Sequence, residues 1–474
     1  MKSSATCAVV LSLCLAGCTW LAPEYRQPSF DMPEKWPAAT TAQKKEQIAA
    51  GEWWKNYRDP VLEKLITEAV GGNSELAIAS ARLLQAKAQY DYATANRLPM
   101  LGFAGLASRS QFDFDKNLLL SDKPSNIGFL GGLVAYEADL WGKQANAQEA
   151  AGAVYRGQSY GRDALRLSIS AATAQLYFNI LALDESLALM RKLVQTQQRL
   201  HQLTRDKFEA GAVPEITLRT SEAELAARTA ELAKIASERD RAEGSLATLL
   251  GRSPRQILAA RLESGKTLAS LPASPVTPAD LPSELLRRRP DVAAMEQLLI
   301  ASNFNIGMAR AAYFPTISLS GLLGVTDLDI ANIYKGPVRT WDLGASLVGP
   351  LVDFGRTASG VELARASREE QLARYKASVR TAFKEVREAL LSQEHAGTFA
   401  AEQEKRKMAL GEALKLVNQR FSLGFASYPD VLPVERSLHE AELAAVAAKL
   451  DRLIVSVDLY KALGGGWRMQ GSAN

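Results

Sequence analysis

The chain has 474 residues, with 56 basic and 52 acidic side chains and a formal net charge of +4. This near balance argues against a nucleic-acid-binding protein, whose basic excess should be larger and clustered. Hydrophobic residues make up 47% of the chain, yet beyond Cys18 it has no long apolar run. A membrane-spanning helix would need ~18 or more such residues.

The chain begins with the pattern of a secretory signal peptide, in which Lys2 precedes an apolar run and then small residues. The segment ends in Leu15-Ala16-Gly17-Cys18, which resembles the lipobox of bacterial lipoproteins. The resemblance implies that residues 1–17 are removed and that lipid is attached to the sulfur and amine of Cys18, with no other cofactor. The alternative is an ordinary secretory signal whose cysteines are incidental apolar residues.

Two further features of this segment bear on location and stability. Thr19 follows the cysteine, in place of the Asp that favours inner-membrane retention in enteric-type lipoproteins. We therefore expect a lipid-anchored protein of the outer membrane. Because the three cysteines of the chain are Cys7, Cys14 and Cys18, the mature protein is predicted to have no disulfide bond.

The rest of the chain contains a tandem duplication. Three short motifs recur at one constant offset of 213, and their glycines are Gly142 and Gly355, Gly211 and Gly424, and Gly251 and Gly464. Upstream, Arg97-Leu98-Pro99 resembles Tyr313-Phe314-Pro315 at an offset of 216. Chance rarely holds one offset over so long a stretch, so both halves are expected to fold as copies of one unit.

Each copy is predicted to contain a long helical hairpin. No proline occurs between Pro124 and Pro214 or between Pro350 and Pro429, and apolar residues there recur at spacings of three and four, as on one face of a helix. A helix from Gly142 to Gly211 would be about 100 Å long at ~1.5 Å per residue. Ordinary globular helices have about 8–20 residues, so this length indicates a coiled coil or a helical barrel.

Four short segments between the helices have a period of two instead. Apolar and small polar residues alternate in Pro315–Val325 and Trp341–Gly349, and Pro99–Phe112 and Ile127–Leu140 are the weaker counterparts in the first copy. This alternation is typical of membrane barrel strands, and residues 113–126 and 327–340 would then be external loops. Aromatic residues near the strand ends, as at membrane interfaces, are Trp141, Tyr313, Phe314, Tyr334 and Trp341.

Four strands cannot close a barrel within one chain. An open edge cannot face lipid, because its backbone groups would be unpaired, and bacterial barrels begin at about 8 strands. At least two chains must therefore contribute, and these considerations permit a dimer or any larger assembly. Hairpins of a water-soluble protein are the alternative for the same alternating pattern.

Ordered motifs along nearly the whole chain resemble those of the outer membrane factor family, the TolC-like channels of tripartite efflux and secretion systems, in its lipoprotein branch. The most specific stretch runs from Leu286-Arg287-Arg288-Arg289-Pro290-Asp291 to Ala309-Arg310-Ala311-Ala312-Tyr313-Phe314-Pro315. The others are Ala22-Pro23-Glu24-Tyr25, Trp53-Trp54, Asp59-Pro60, Asp139-Leu140-Trp141-Gly142-Lys143 and Ala462-Leu463-Gly464-Gly465-Gly466-Trp467.

The resemblance implies a mainly α fold with a β-barrel portion. Tandem-repeat helical hairpins of a homotrimer would form an α-barrel, continued by a membrane β-barrel to which each chain gives four strands. It also implies three partners: a periplasmic adaptor (membrane fusion protein), an inner-membrane pump of the resistance–nodulation–division type, and outer-membrane lipid.

The predicted function is therefore a passive exit duct of a tripartite efflux system, driven by the inner-membrane pump. Its cargo, whether drug, metal, dye or siderophore, stays open. A lipid-anchored periplasmic coiled-coil scaffold without a pore is the alternative from another class. The predicted segments are a signal peptide (1–17), a lipidated and equatorial segment (18–72), the first repeat (73–251), a Pro-rich equatorial linker (252–290), the second repeat (291–464) and a C-terminal tail (465–474).

The hairpin tips carry the candidate gate. By the resemblance, Gly211 and Gly424 lie at the periplasmic tips, where the tunnel narrows and meets the adaptor. Many relatives have an Asp two residues after the second glycine, where Ala426 stands here, and Pro433 occupies another position at which an acidic residue is common. Acidic candidates that remain near the tips are Glu215, Asp430 and Glu435, and an apolar gate would use Phe421, Phe425 or Tyr428.

Each acidic candidate has a simpler interpretation, since solvated acidic residues are favoured at helix N-termini. If Asp430 instead lines the constriction, its replacement by Ala is expected to change cation selectivity or leak.

An enzyme is not predicted. The three histidines, His201, His395 and His439, fall on the predicted long helices without a ligand-spaced partner. Asp353-Phe354-Gly355 matches a kinase motif, but the phosphate-binding loop and the His-Arg-Asp of a kinase do not accompany it. In the duplicated frame it is a strand-to-helix turn. We therefore predict neither a catalytic nor a metal site, which also disfavours a periplasmic lipoprotein enzyme.

Overall fold

The computed structural model describes residues 21–33, 52–110, 125–259, 265–272, 284–327 and 338–467. The predicted signal peptide, Cys18, Tyr334 and most of both predicted external loops lie outside these residues.

Both copies of the repeat contain a helix, two strands and a two-helix hairpin, in that order. A 3-10 helix (Trp53–Tyr57) and α1 (Pro60–Gly72) precede the first copy, which comprises α2 (Ser74–Ala95), β1 (Met100–Ser110), β2 (Ser125–Ala138), α3 (Lys143–Glu209) and α4 (Glu215–Leu249). The linker contains α5 (Pro254–Leu258), a 3-10 helix (Leu268–Ser270) and α6 (Leu285–Arg288). The second copy comprises α7 (Pro290–Ala311), β3 (Thr316–Asp327), β4 (Val338–Val348), α8 (Arg356–Ser422) and α9 (Tyr428–Ala462).

The two hairpins have equal limbs. Helices α3 and α8 each have 67 residues, and α4 and α9 each have 35. The predicted helix from Gly142 to Gly211 is thus confirmed, with bounds one or two residues inside those glycines. Among the described residues, no helix combines the length and the apolarity that a bilayer crossing requires.

The four strands form one antiparallel sheet in the order β1-β2-β3-β4. Its register follows the sequence repeat. The pair Leu106–Phe129 joins β1 to β2. When Leu106 is displaced by the offset of 216 and Phe129 by the offset of 213, the positions become Leu322 and Asp342, which pair between β3 and β4. The two offsets of the sequence therefore describe the hydrogen-bond ladder as well.

The sheet has one strongly apolar face, since side chains alternate between the two sides of a strand. Following the register, this face carries Leu101, Phe103, Leu130, Val134, Tyr136, Ile317, Leu319, Leu323, Val325, Trp341, Leu343 and Leu347. Most of the large side chains among them are exposed, Phe103 at 82% and Leu343 at 78%. The opposite face carries Ser318, Ser320, Thr326, Thr340, Asp342 and Ser346 in the second copy and more apolar residues in the first. The predicted period-two strands are confirmed.

The chain divides into two compact units, each with parts of both repeats. The sheet unit comprises the described parts of Met1–Ser29, Arg82–Ser159 and Ala294–Lys376. The hairpin unit comprises those of Phe30–Ala81, Tyr160–Ala293 and Ala377–Asn474, and it contains both hairpin tips.

In the hairpin unit, each repeat is closed by a clasp between a residue near its start and a residue near its end. The Asn73 side chain donates to the Leu249 carbonyl at 2.8 Å, and Arg289 donates to the Ala462 carbonyl at 3.2 Å. The two acceptors are related by the offset of 213 and the two donors by the offset of 216, so the clasps are copies of each other. Arg289 is also buried between Asp291 and Glu385. The Arg-Arg-Arg-Pro-Asp motif thus ends in a structural ion pair.

Glycine is required where each clasp closes. Gly251 has a φ of +72°, and a Cβ there would lie 1.9 Å from the Gly72 carbonyl oxygen. Gly464 has a φ of +85°, and its Cβ would lie 2.0 Å from the Arg288 carbonyl oxygen.

Replacing Gly251 by Ala is expected to destabilise the protein far more than replacing Gly211 by Ala. Both positions have positive φ, which costs a residue with a Cβ about 1–2 kcal/mol. Only Gly251 adds a backbone clash, because a Cβ at Gly211 would meet nothing within 4 Å. Thermal unfolding of the purified variants measures the difference. Equal melting temperatures would mean that the clasp tolerates a side chain.

Candidate functional site at the hairpin tips

The first tip turns in five residues between α3 and α4. The Ala212 N–H donates to the Lys207 carbonyl at 2.8 Å, and the Gly211 N–H donates to the Phe208 carbonyl at 2.9 Å. This pattern ends a helix with a residue in the left-handed region. Gly211 supplies it, with a φ of +69°.

The second tip repeats this geometry. The Phe425 N–H donates to the Arg420 carbonyl at 2.8 Å, the Gly424 N–H donates to the Phe421 carbonyl at 3.1 Å, and Gly424 has a φ of +80°. Every donor and acceptor is related to its counterpart in the first tip by the offset of 213. The two tip glycines are therefore equivalent turns, and the structure gives both the same reason to be glycine.

The remaining candidates occupy different surroundings. Glu215 opens α4 in an exposed ion pair with Arg219 at 3.2 Å. Phe421 is half-buried at the end of α8, while Phe425 is 74% exposed in the turn. Tyr428 begins α9, and its side chain lies outside the described atoms. Within the described part of one chain, these candidates thus occupy separate places along the two tips.

Asp430 forms a helix cap. Its carboxylate accepts hydrogen bonds from the Ser427 N–H and hydroxyl, both at 2.7 Å. These bonds hold the pKa of Asp430 below its ordinary value. The structure thus gives Asp430 a capping role. A role for Asp430 in a constriction stays a prediction.

An ionic cluster above the tips joins the two hairpins, and it was not among the sequence candidates. Glu224 of α4 is buried, with 7% of its side chain exposed. It accepts hydrogen bonds from Arg228 of its own helix at 2.7 and 3.0 Å. Arg436 of α9 binds the same carboxylate through both its Nη2 and, at 3.2 Å, its Nε. Glu224 is thus a link between the first and second repeats.

The titratable groups around this link are partly shielded from water, and their pKa values are shifted as a result. Burial raises the pKa of Glu224, but hydrogen bonds from Arg436 and Arg228 outweigh it, and the net pKa lies below the ordinary value. Burial raises the pKa of the neighbouring Glu435, whose carboxylate accepts a bond from Gln197 at 3.4 Å. Burial lowers the pKa of His439 one turn further along α9. Glu435, proposed for the gate, faces this cluster.

One sequence signal could have found this link. Glu224 follows Gly211 at almost the same spacing as Arg436 follows Gly424. Because the two hairpins are copies with equal limbs, these residues stand at about the same height above their tips. Opposite charges at one height on paired hairpins are candidates for a contact, but the sequence does not say which helix faces are turned toward each other.

In the sheet unit, the strand-to-helix junction is held by the predicted aromatic residues. Trp141 stacks on Phe314, with ring centroids 4.6 Å apart, and its Nε1 donates to the Pro315 carbonyl at 2.7 Å. The Asp139 carboxylate caps the start of α3 by accepting from the Gln144 and Ala145 N–H groups.

The N-terminal segment of the sheet unit is fastened to α7. Arg310 donates to the Leu21 carbonyl at 3.0 Å, and Asn303 donates to the Pro23 carbonyl at 2.6 Å. The Tyr25 hydroxyl donates to Glu296 at 3.1 Å. Leu21 is the third residue after Cys18, the lipidation candidate.

No metal site emerges from the described residues, where no group of three or more His, Cys, Asp and Glu side chains could hold an ion.

Comparisons with known proteins agree with this geometry. The model of the family described as "Outer membrane efflux protein" matches residues 65–252 and 281–465, and each matched range contains one of the two repeats. The chain is 30% identical to the probable efflux pump outer membrane protein TtgC of Pseudomonas putida, over 100% of this chain and 98% of that protein. It is 27% identical to the cation efflux system protein CusC of Escherichia coli, over 97% and 98%.

Solved structures give the same result. The open-state structure of the Neisseria gonorrhoeae MtrE outer membrane channel has a TM-score of 0.84 and 31% identity, over 94% of this chain and 98% of that one. The Campylobacter jejuni CmeC outer membrane channel has a TM-score of 0.88 and 24% identity, over 96% of each chain, and this likeness bears on the fold alone.

Replacing Glu224 by Gln is expected to loosen the two hairpins from each other. The change leaves Arg436 and Arg228 beside each other without their shared carboxylate, and losing such a charge-assisted contact costs roughly 1.5–3 kcal/mol. Amide hydrogen exchange in the first turns of α9 should speed up accordingly. Glu215→Gln is the matched control, since it removes a carboxylate whose ion pair is exposed. Unchanged exchange in Glu224→Gln would show that the link contributes no stability.

Proposed function

The chain belongs to the outer membrane efflux protein family, and from this premise we propose that it forms the trimeric exit duct of a tripartite efflux system. It is an outer-membrane efflux channel protein, as its relatives are. The observation that carries the finer proposal is the four-stranded sheet with an apolar face, whose two outer strands pair with no further strand among the described residues.

The edges require partners. In the sheet, β1 and β4 each pair on one side only, and the apolar face suits contact with lipid. Unpaired backbone groups in lipid cost several kcal/mol each. Pairing β4 of one copy with β1 of the next satisfies both edges at once. Three copies then close a barrel of about 12 strands, within the range of bacterial barrels.

The internal repeat supplies the register of this seam. Within one chain, Gly132 of β2 pairs with Leu323 of β3. Displaced by the repeat offsets, these positions become Ala345 of β4 and Ala107 of β1. If the barrel is regular, Ala345 of one copy lies opposite Ala107 of the next, and both face the apolar side.

The long hairpins would extend this barrel into the periplasm. Each tip exposes apolar side chains, including Ile216 at 71%, Leu423 at 71% and Phe425 at 74%. Such residues suit a contact with a periplasmic adaptor, which would couple the duct to an inner-membrane pump of the resistance–nodulation–division type. The duct itself has no energy source in this proposal, and cargo selection belongs mostly to the pump.

The proposal includes lipidation of Cys18 and no other cofactor. Lipid on Cys18 would enter the periplasmic leaflet of the outer membrane. The fastening of residues 21–25 to α7 supports this, because it holds the start of the described chain against the sheet unit.

A disulfide test addresses the seam directly. The variant Ala107→Cys with Ala345→Cys should form covalent dimers and trimers on oxidation, because opposed strand positions have Cβ atoms about 4.5–5.5 Å apart. Denaturing gels of outer membranes measure the products. Ala104→Cys with Ala345→Cys is the control, since Ala104 lies on the opposite face of β1.

Each result has a clear meaning. A covalent trimer in the first variant, absent in the control, supports the proposed closure. Products that stop at the dimer would contradict a trimer. The absence of a specific cross-linked product would contradict the seam. If the protein also fails to conduct ions in planar bilayers, the scaffold without a pore would be favoured.

A further inference from the structure

Two arginines interrupt the apolar face of the sheet. Arg109 on β1 and Arg339 on β4 lie on the same side as Phe103, Trp341 and Leu343, following the strand register. Both are exposed. Each lies at the end of its strand away from the long helices, since β1 ends at Ser110 and β4 begins at Val338.

This position places them at the external membrane surface. A charge on the lipid-facing side of a barrel is costly at mid-membrane and tolerated near the interfaces. On β1, Leu101 and Arg109 are eight residues apart, which corresponds to about 26 Å along a strand and to roughly 20 Å across the membrane at the ~35–45° tilt of barrel strands. The apolar band of an outer-membrane barrel is about 25 Å tall. When Leu101 lies near the periplasmic interface, the Arg109 backbone is therefore about 5 Å short of the external interface, and its long side chain can extend over that distance to headgroup level.

The seam brings the two arginines together, a step that rests on the proposed function. The intrachain pair Leu130–Val325 maps by the repeat offsets onto Leu343 of one copy and Arg109 of the next. Arg339 lies four residues further out on the same β4 strand. Their Cα atoms would be about 14 Å apart, from ~3.3 Å per residue and ~4.8 Å between strands.

The surface between the two arginines suits a lipid headgroup. Trp341 lies midway between Arg339 and Leu343 on the same face and is 72% exposed. Tryptophan is enriched at membrane interfaces, where its ring is apolar and its N–H can bind polar groups. Below it, Leu343 and Leu347 continue the apolar face toward the membrane centre, at 78% and 67% exposure.

The charges favour a phosphate-bearing occupant. Among the described residues of this face, the one carboxylate at the external end is Asp327, so each seam keeps a positive excess. Guanidinium groups bind phosphate oxygens in bidentate fashion. Two arginines at this separation, with side chains long enough to reach toward each other, match a headgroup with two phosphates better than one with a single phosphate.

We propose that each subunit seam binds an outer-leaflet lipid whose headgroup carries two phosphates. Arg109 of one copy and Arg339 of the next bind the phosphates, Trp341 lies between them, and the acyl chains run along Leu343 and Leu347. A closed trimer has three such sites, and each is incomplete without a second copy. The bound lipid then stabilises the seam by neutralising like charges that would otherwise repel each other.

The test uses the full-length trimer in phosphatidylcholine nanodiscs with added lipid A. Native mass spectrometry counts the lipid A molecules retained per trimer. Wild type should retain up to three, and dephosphorylated lipid A should be retained at least tenfold less. The variant Arg109→Gln with Arg339→Gln should lose retention to the same degree. Arg365→Gln is the control, since it removes an exposed arginine on α8 that lies outside both strands.

The outcomes separate this inference from the proposed function. A trimeric variant that conducts ions but has lost lipid A supports the lipid site. Equal retention of the phosphorylated and dephosphorylated lipids by wild type overturns it and leaves the trimer intact. Displacement of lipid A by millimolar inorganic phosphate also overturns it, because the site would then recognise the phosphate group without the rest of the lipid. If the double variant does not assemble, the comparison of the two lipids on wild type still decides.

Discussion

The constraint on which this structure depends is that a β-sheet cannot end in lipid. Every backbone N–H and C=O group in the hydrocarbon needs a partner, and a sheet of four strands with an apolar face leaves two edges unpaired. In the proposed duct, one chain therefore supplies only part of a barrel. The seam between copies would meet this requirement, and the number of strands that each chain supplies would set the number of copies.

The duplication makes it simple to pair the edge strands of neighbouring copies. Because both repeats share register, clasps and tip geometry, a closed ring can use nearly equivalent contacts within and between chains. The clasps at Asn73 and Arg289 show this at the level of single hydrogen bonds. The copies have also diverged where they face each other. Glu224 of the first repeat contacts Arg436 of the second, whereas the repeat-related positions hold Ser437 and Ala223, so the contact has no counterpart of the same charge.

The sequence predicted the fold well, because its strongest signals are periodic. Helix ends followed Gly211 and Gly424, where positive φ is required, and strands followed alternation. The errors at strand ends have physical causes. The prediction carried β2 to Leu140, but the strand stops at Ala138 because the Asp139 carboxylate caps α3. β4 begins at Val338, three residues before Trp341, because the ladder continues beyond the apolar pattern. Asp430 was proposed for a gate and is seen to cap its helix, and the buried Glu224 link was missed because periodicity does not identify facing side chains.

The most direct test of whether copies of this chain assemble into a closed duct is electron imaging of the detergent-purified mature protein. The particle mass would be measured on the same sample. We expect a particle of three chains with three-fold symmetry, an open lumen and a tubular extension of about 100 Å, the length of a 67-residue helix. A monomer, or a rod without a lumen, would contradict the duct and would leave the coiled-coil scaffold as the better description.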